Sequence, residues 1–268
     1  MCAEKMIDLK SKADEHEQND HSSKADDFSG WLKREECLPE SIRVAFLGTE
    51  RGFGGLCISP VPAGQELVSF PASLLMDRSA ALRSAIGPCL QSHPMWSDGE
   101  KHSSRALSSF PGTAEPDLWR SAGGYGASDS APQPDAWAII LLLLHERARG
   151  DSSPWHPYIA MIPPVIDAAA TCFTAEEADA LLAGTALAAA AREAEEDLAR
   201  LGAALRNLRA RYPDVFPAAS DAGPDPFGPD QLRWAHAAFW SRALQVCPPP
   251  TLALFDPHDN KFSRWSLE

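Results

Sequence analysis

Residues 50–76 read ERGFGGLCISPVPAGQELVSFPASLLM, and their reading decides the fold. Three glycines, Gly52, Gly54 and Gly55, lie between two short apolar runs, Ile42 to Leu47 and Leu56 to Ile58. Glycine carries no Cβ, so a ligand can approach its backbone closely. Pro62-Ala63-Gly64 supplies turn chemistry, and Glu66 to Phe70 alternates polar and apolar residues as a half-buried strand does. The expectation is a β-rich, glycine-pinched unit. An ordinary hairpin whose glycines only serve tight turns has the same spacing. Two other glycine-rich motifs fall away: the strand, G-x-G-x-x-G and helix order of a dinucleotide fold is absent, as is the Lys-Ser/Thr ending of a phosphate loop.

Composition bounds the rest. A chain of 268 residues can hold one large domain or two small ones, and 44% hydrophobic residues suffice for a core. The formal net charge of -13 argues against nonspecific binding to nucleic acid or anionic membranes, both of which need a positive field. A neutral or basic partner surface suits it better. The six cysteines, Cys2, Cys37, Cys57, Cys89, Cys172 and Cys247, form no C-x-x-C pair, so neither a zinc site nor a disulfide framework is expected. Residues 1–40 open with an acid-rich stretch that lacks the apolar core of a signal peptide and the Arg-rich character of a transit peptide. They read as a solvated acidic tail, and the chain as cytoplasmic or nuclear.

Working toward the C-terminus, Gly87 to Pro134 is rich in Gly, Ser, Pro and Ala without sustained periodicity, which predicts a long loop within a low-complexity insert over 77–134. His93 and His102 lie there without ligand partners at metal spacing, so no metal is expected. The run Ile139 to Leu144 is too short to span a bilayer, which needs about 20 residues, and reads as a buried helix. Asp135 is expected to cap it, Arg147 and Arg149 to suit the negative end of its dipole, and Gly150 to end it. Thr174 to Tyr212 reads as helix, with Thr174-x-x-Glu177 as a capping box. Leu198, Leu201, Leu205, Leu208 and Tyr212 form one apolar stripe. Glu193, Glu195, Glu196 and Asp197 read as its solvated face, with a coiled-coil contact as the alternative.

After a Pro- and Gly-rich linker, Ala218 to Pro229, Asp230 is expected to cap a helix running to about Leu244. Trp234, Ala237, Ala238 and Ser241 share one face of it, with core packing expected for Trp234, Phe239 and Trp240. Arg242 stands beside that face. A guanidinium there needs a carboxylate or carbonyl partner unless it sits exposed at the rim.

Four blocks in order carry a resemblance: the glycine cluster with its Phe70-Pro71-x-x-Leu74-Leu75 ending, LLLLHERARGDSSPWHPYIAMIP at 141–163, FTAEEADALLAGTAL at 173–187, and RWAHAAFWSRAL at 233–244. Together they resemble the SET-domain protein methyltransferases of the group typified by the plant Rubisco large-subunit lysine methyltransferase and the actin-histidine methyltransferase. The resemblance implies an α+β fold, a partial β-rich SET domain with a helical insertion lobe. Its parts are the N-terminal SET half over 41–76, the lobe over 135–229 and the start of the C-terminal half over 230–268. It further implies S-adenosylmethionine as cofactor, cradled by Gly52, Phe53, Gly54, Gly55 and Leu56 with Arg242, and a protein substrate presenting a lysine or histidine beside Ser241 and Arg242. Such a reaction displaces a methyl group from a sulfonium and needs no metal, so positioning the nucleophile in line supplies much of the rate.

The family pattern also calls for an Asn-His pair and a tyrosine in its C-terminal half. Asp256, His258 and Asn260 have the right chemistry in a different order and spacing, and Tyr125, Tyr158 and Tyr212 all precede Arg242. A metal reading of Asp256, His258 and Asp259 lacks further ligands. No catalytic residue is therefore assigned. The sequence is expected to represent either a lysine methyltransferase with a truncated C-terminal half, weak or inactive in this form, or a noncatalytic fragment that binds a protein through its helical lobe.

Overall fold

The glycine-pinched segment folds as a two-stranded antiparallel hairpin, β1 (Ile42–Phe46) and β2 (Phe53–Cys57), with Ile42 opposite Cys57 and Phe46 opposite Phe53. The computed structural model describes residues 20–48, 51–93, 134–166, 173, 175–218 and 223–244. These divide into two units, one holding 20–75 and Asp151–Pro163, the other Met76–Gly150 and the described residues from 164 onward. The segment 151–163, assigned from sequence to the helical lobe, thus clusters with the hairpin's unit.

In the first unit, residues 20–34 form helix α1, which corrects the expectation of a solvated tail up to residue 40. The reason is a stripe hidden among acids: Ala25 and Leu32 are buried, and Phe28 between them meets the Trp31 and Tyr158 rings at a tilt. That is helical spacing, i, i+3, i+7. The helix stops where Glu36 turns to a φ of 55° and Cys37 N–H donates to Leu32 O at 2.8 Å. The expected strand Glu66 to Phe70 is not one. Among the described residues it has no partner strand, and Leu67 and Phe70 are exposed. Further on, Trp155 anchors 151–163: its indole donates to Leu74 O at 2.9 Å, and its backbone N–H to Ser153 Oγ at 3.1 Å.

The second unit is helical. Helices α2 (Arg78–Arg83) and α3 (Gly87–Gln91) lie inside the stretch read as a low-complexity insert. Asp77 caps α2, accepting from Ala80 N–H at 2.6 Å, and Ala80, Ala81, Cys89 and Leu90 are buried despite their Ser- and Gly-rich surroundings. Gly87 permits the close junction, since a Cβ there would stand 1.9 Å from the Leu82 carbonyl oxygen. Helix α4 (Pro134–Ala148) is the core. Trp137, Ala138, Ile140, Leu141, Leu142 and Leu144 are all inaccessible, and α2 packs against it. Asp135 does not stand outside as a cap but lies in the first turn, paired with Arg78 at 3.0 Å. Gly150, at φ 54°, follows the helix end.

A short helix in the first unit, α5 (His156–Ile159), precedes α6 (Ala175–Leu181) and the 26-residue α7 (Ala186–Arg211). The single helix expected from Thr174 to Tyr212 is thus two. Gly184, at φ 76°, takes the chain out of the helical region between them, while Thr174 lies outside the described residues. The leucines of the α7 stripe, Leu198, Leu201, Leu205 and Leu208, are buried, but Tyr212, read as its last member, stands just past the helix end and is half-buried. Helix α8 (Pro229–Arg242) packs on α4 and α7. Its cap is Gly228 rather than Asp230, because Pro229 occupies the first helical position, where a missing N–H costs nothing. No described helix is long and apolar enough to cross a membrane.

Candidate functional site

Of the residues expected to bind cofactor, Gly52 to Leu56 stand together in the hairpin. Gly52 has a φ of 64° and Gly48 of 99°, conformations that L side chains resist. Backbone hydrogen bonds tie the two together: Gly52 N–H donates to Gly48 O at 2.8 Å, and Leu47 N–H to Gly52 O at 2.7 Å. Among the described residues a Cβ built on Gly52 would meet nothing within 4 Å, whereas one on Gly54 would lie 2.6 Å from Leu47 Cδ1. The backbone at Gly52 is therefore open to a ligand, and at Gly54 it is covered by a side chain. Alternation along β2 puts Phe53 and Gly55 on one face and Gly54 and Leu56 on the other.

On the Phe53 face the hairpin is held by aromatics. His21 of α1 stacks on Phe46 with centroids 3.8 Å apart and rings 18° from parallel, and meets Phe53 edge-on at 5.6 Å. Phe46 and Phe53 meet at 5.2 Å. Sequence reasoning missed His21 because it lay in a segment read as tail.

Ser241 and Arg242 end α8, both exposed. Arg242 Nη1 donates to Ser241 Oγ at 2.6 Å, and that hydroxyl donates to Ala238 O at 3.2 Å. Of the alternatives raised by the sequence, the structure has the exposed one: among the described residues no carboxylate pairs with Arg242. The glycine segment belongs to the first unit and this pair to the second.

Behind Arg242, α8 is fixed by contacts that spacing could not reveal. The Arg147 guanidinium lies over the Trp234 ring, 3.6 Å from its centroid, and burial holds its pKa below the usual arginine value. Arg149, expected to serve the dipole, clamps buried Glu146 through both carboxylate oxygens at 3.0 Å. His236, fully buried, accepts from Trp240 Nε1 at 3.1 Å and lies 3.6 Å from Asp197 Oδ2, which itself accepts from the buried Trp137 indole at 2.9 Å. Asp197 was read as part of a solvated face. It is instead half-buried and bonded, while Glu193, Glu195 and Glu196 are exposed and Glu195 pairs with Arg233.

The remaining candidates divide simply. Tyr158 is half-buried near Phe28, and Tyr212 hydrogen-bonds Ser92. Burial and the nearby Arg211 charge lower the pKa of His93. Tyr125, His102, Asp256, His258, Asp259 and Asn260 lie outside the described residues. Among the described residues no group of three or more His, Cys, Asp or Glu side chains is placed to hold a metal ion.

No family model matches the chain, and no curated protein matches it. Solved structures do. The structure of Rubisco LSMT bound to AdoMet matches with a TM-score of 0.54 at 19% identity over 82% of this chain and 41% of that one. The SET domain of LSMT bound to lysine and AdoHcy matches with a TM-score of 0.51 at 19% identity over 80% of this chain and 37% of that one. The chain spans about two fifths of the length of these structures. A methyllysine and AdoHcy complex of the same SET domain matches at 0.52 and 17% identity. What this chain is similar to, over four fifths of its residues, is an α+β SET-domain fold of the Rubisco LSMT type.

Proposed function

We propose that this chain supplies part of an S-adenosylmethionine-dependent protein-lysine methyltransferase, with a histidine target as the alternative within the same chemistry. The observation that carries the reading is the Gly48–Gly52 turn. Its two ends, Gly48 and Gly52, have left-handed φ values, and among the described residues the space over Gly52 is open, in a fold similar to one solved with AdoMet. On this reading the backbone from Gly52 to Leu56, open at Gly52 and covered by Leu47 at Gly54, would cradle the cofactor, and Arg242, exposed beside Ser241, would offer a guanidinium to a carboxylate or to substrate. When bound, the sulfonium supplies an electrophilic methyl group. The work left to the chain is to bind, to orient and to exclude water, which is how positioning lowers such a barrier.

A protein partner with a basic or neutral surface suits the net charge of -13. A second reading, a noncatalytic protein-binding module built on the helical lobe, is favoured by one feature: Leu181 and Leu187, on α6 and α7, are 67% and 60% exposed. Isothermal calorimetry of S-adenosylmethionine against the chain separates the two. Binding that Arg242→Ala weakens supports the methyltransferase reading; an isotherm without heat for the unmodified chain supports the binding module.

A further inference from the structure

Helix α1 meets the proposed cofactor segment through one side chain. His21 is half-buried, stacked on Phe46 and edge-on to Phe53. Phe46 and Phe53 face each other across the last pair of the β1–β2 ladder, the pair immediately outside the turn closed by Gly48 and Gly52. We propose that His21 is a positioning residue for S-adenosylmethionine binding: its ring clamps the Phe46–Phe53 pair and so holds the backbone of Gly52 to Leu56 in the shape that receives the cofactor. The inference rests on the reading that this segment holds the cofactor.

The physical argument starts from the weakness of the hairpin. Two strands of five residues each are marginal alone, and the glycines at and beside them, Gly48, Gly52, Gly54 and Gly55, add backbone freedom rather than packing. Something on one face must fix the twist and register. On the Gly54 face the cover is Leu47, itself an exposed side chain. On the Phe53 face it is the aromatic triple, and α1, which carries His21 in its first described turn, is anchored further along by buried Ala25 and Leu32. An offset or edge-on aromatic pair resists sliding as well as separation. Losing the ring leaves the two phenylalanines in place but loosens the end of the ladder next to Gly52.

The test uses the full chain, His21→Ala and His21→Phe. Phenylalanine restores a stacking ring without the imidazole nitrogens. Calorimetric titration with S-adenosylmethionine should show about three- to tenfold weaker binding for His21→Ala, the range one aromatic pair supports, and recovery in His21→Phe. Equal affinity of His21→Ala and the unmodified chain overturns the proposal, as does failure of His21→Phe to restore binding while its thermal midpoint matches the unmodified chain. Amide hydrogen exchange without cofactor keeps this separate from the functional reading. Faster exchange at Gly52 to Leu56 in His21→Ala, restored in His21→Phe, supports the clamp even where the unmodified chain gives no calorimetric signal, an outcome that sinks the cofactor reading alone. Unchanged exchange there overturns the clamp.

Discussion

Asp197 separates what a run of acids implies from what the folded chain does with it. It sits among Glu193, Glu195 and Glu196, yet its Oδ2 accepts the indole N–H of Trp137 at 2.9 Å, and Trp137 is inaccessible to solvent. Replacing Asp197 with alanine strands that donor where water cannot reach it. The cost of an unsatisfied buried donor is about 1–3 kcal/mol, and the lost approach of Asp197 to Arg200 at 3.7 Å acts in the same direction. Alanine's higher helix propensity returns roughly half a kcal/mol, leaving a net loss of about 0.5–2.5 kcal/mol. Glu196→Ala, exposed on the same helix, should stay within about 0.5 kcal/mol of the unmodified chain. Urea unfolding followed by tryptophan fluorescence measures both. A double-mutant cycle with Trp137→Phe then isolates the bond, because removing donor and acceptor together should cost less than the sum of the single changes. If Asp197→Ala unfolds at the same urea concentration as Glu196→Ala, the reasoning fails, and Asp197 is the solvated residue its neighbours suggest.

Two further expectations concern the same helical unit. Leu201 is fully buried in the middle of α7 while Leu187 is 60% exposed, so Leu201→Ala should cost about 3–5 kcal/mol and Leu187→Ala well under 1, again by urea unfolding; equal costs would refute the α7 stripe as core. Desolvation pushes the Asp225 carboxyl up, but hydrogen bonds from Arg209 and Phe227 N–H, with the Arg209 charge, outweigh it and hold the pKa below 3.8. A carboxyl so depressed stabilises the fold above its unfolded pKa and loses that contribution as pH falls through the folded value. Stability measured from pH 5 down through about pH 3 should therefore decline less steeply in Asp225→Asn; identical slopes would refute the pair's contribution.

How far the sequence could be read follows from the range over which each signal acts. Local patterns were legible. Gly52, Gly54 and Gly55 between apolar runs marked a hairpin, the run through Leu141 to Leu144 marked a buried helix, and the leucines of α7 marked its inner face. Each depends on residues within a few positions of one another. The errors came where a local signal was diluted or where a partner lay far along the chain. Ala25, Phe28 and Leu32 have helical spacing, but the surrounding acids and serines made the segment look like tail. Gly184 looked like a local weakness in a long helix, and at φ 76° it is a break. Asp197 bonds an indole 60 residues away, and no window along α7 contains that information.

The same distinction bears on two of the three arginines that the sequence singled out. Arg147 was read as a dipole residue and Arg242 as a site residue. The structure gives the first a desolvated stack on Trp234, so removing it would loosen the packing of α8 on α4 and lower stability. Arg242 is exposed at the C-terminal end of α8, where its charge suits the helix dipole and its hydrogen bond is to its own neighbour, Ser241. Surface changes of that kind alter stability by about 0.5 kcal/mol or less. A loss of cofactor binding in Arg242→Ala therefore reports a lost contact rather than a damaged fold, a property Arg147→Ala lacks. The residue whose packing explains least is the one whose substitution tests the functional reading most directly.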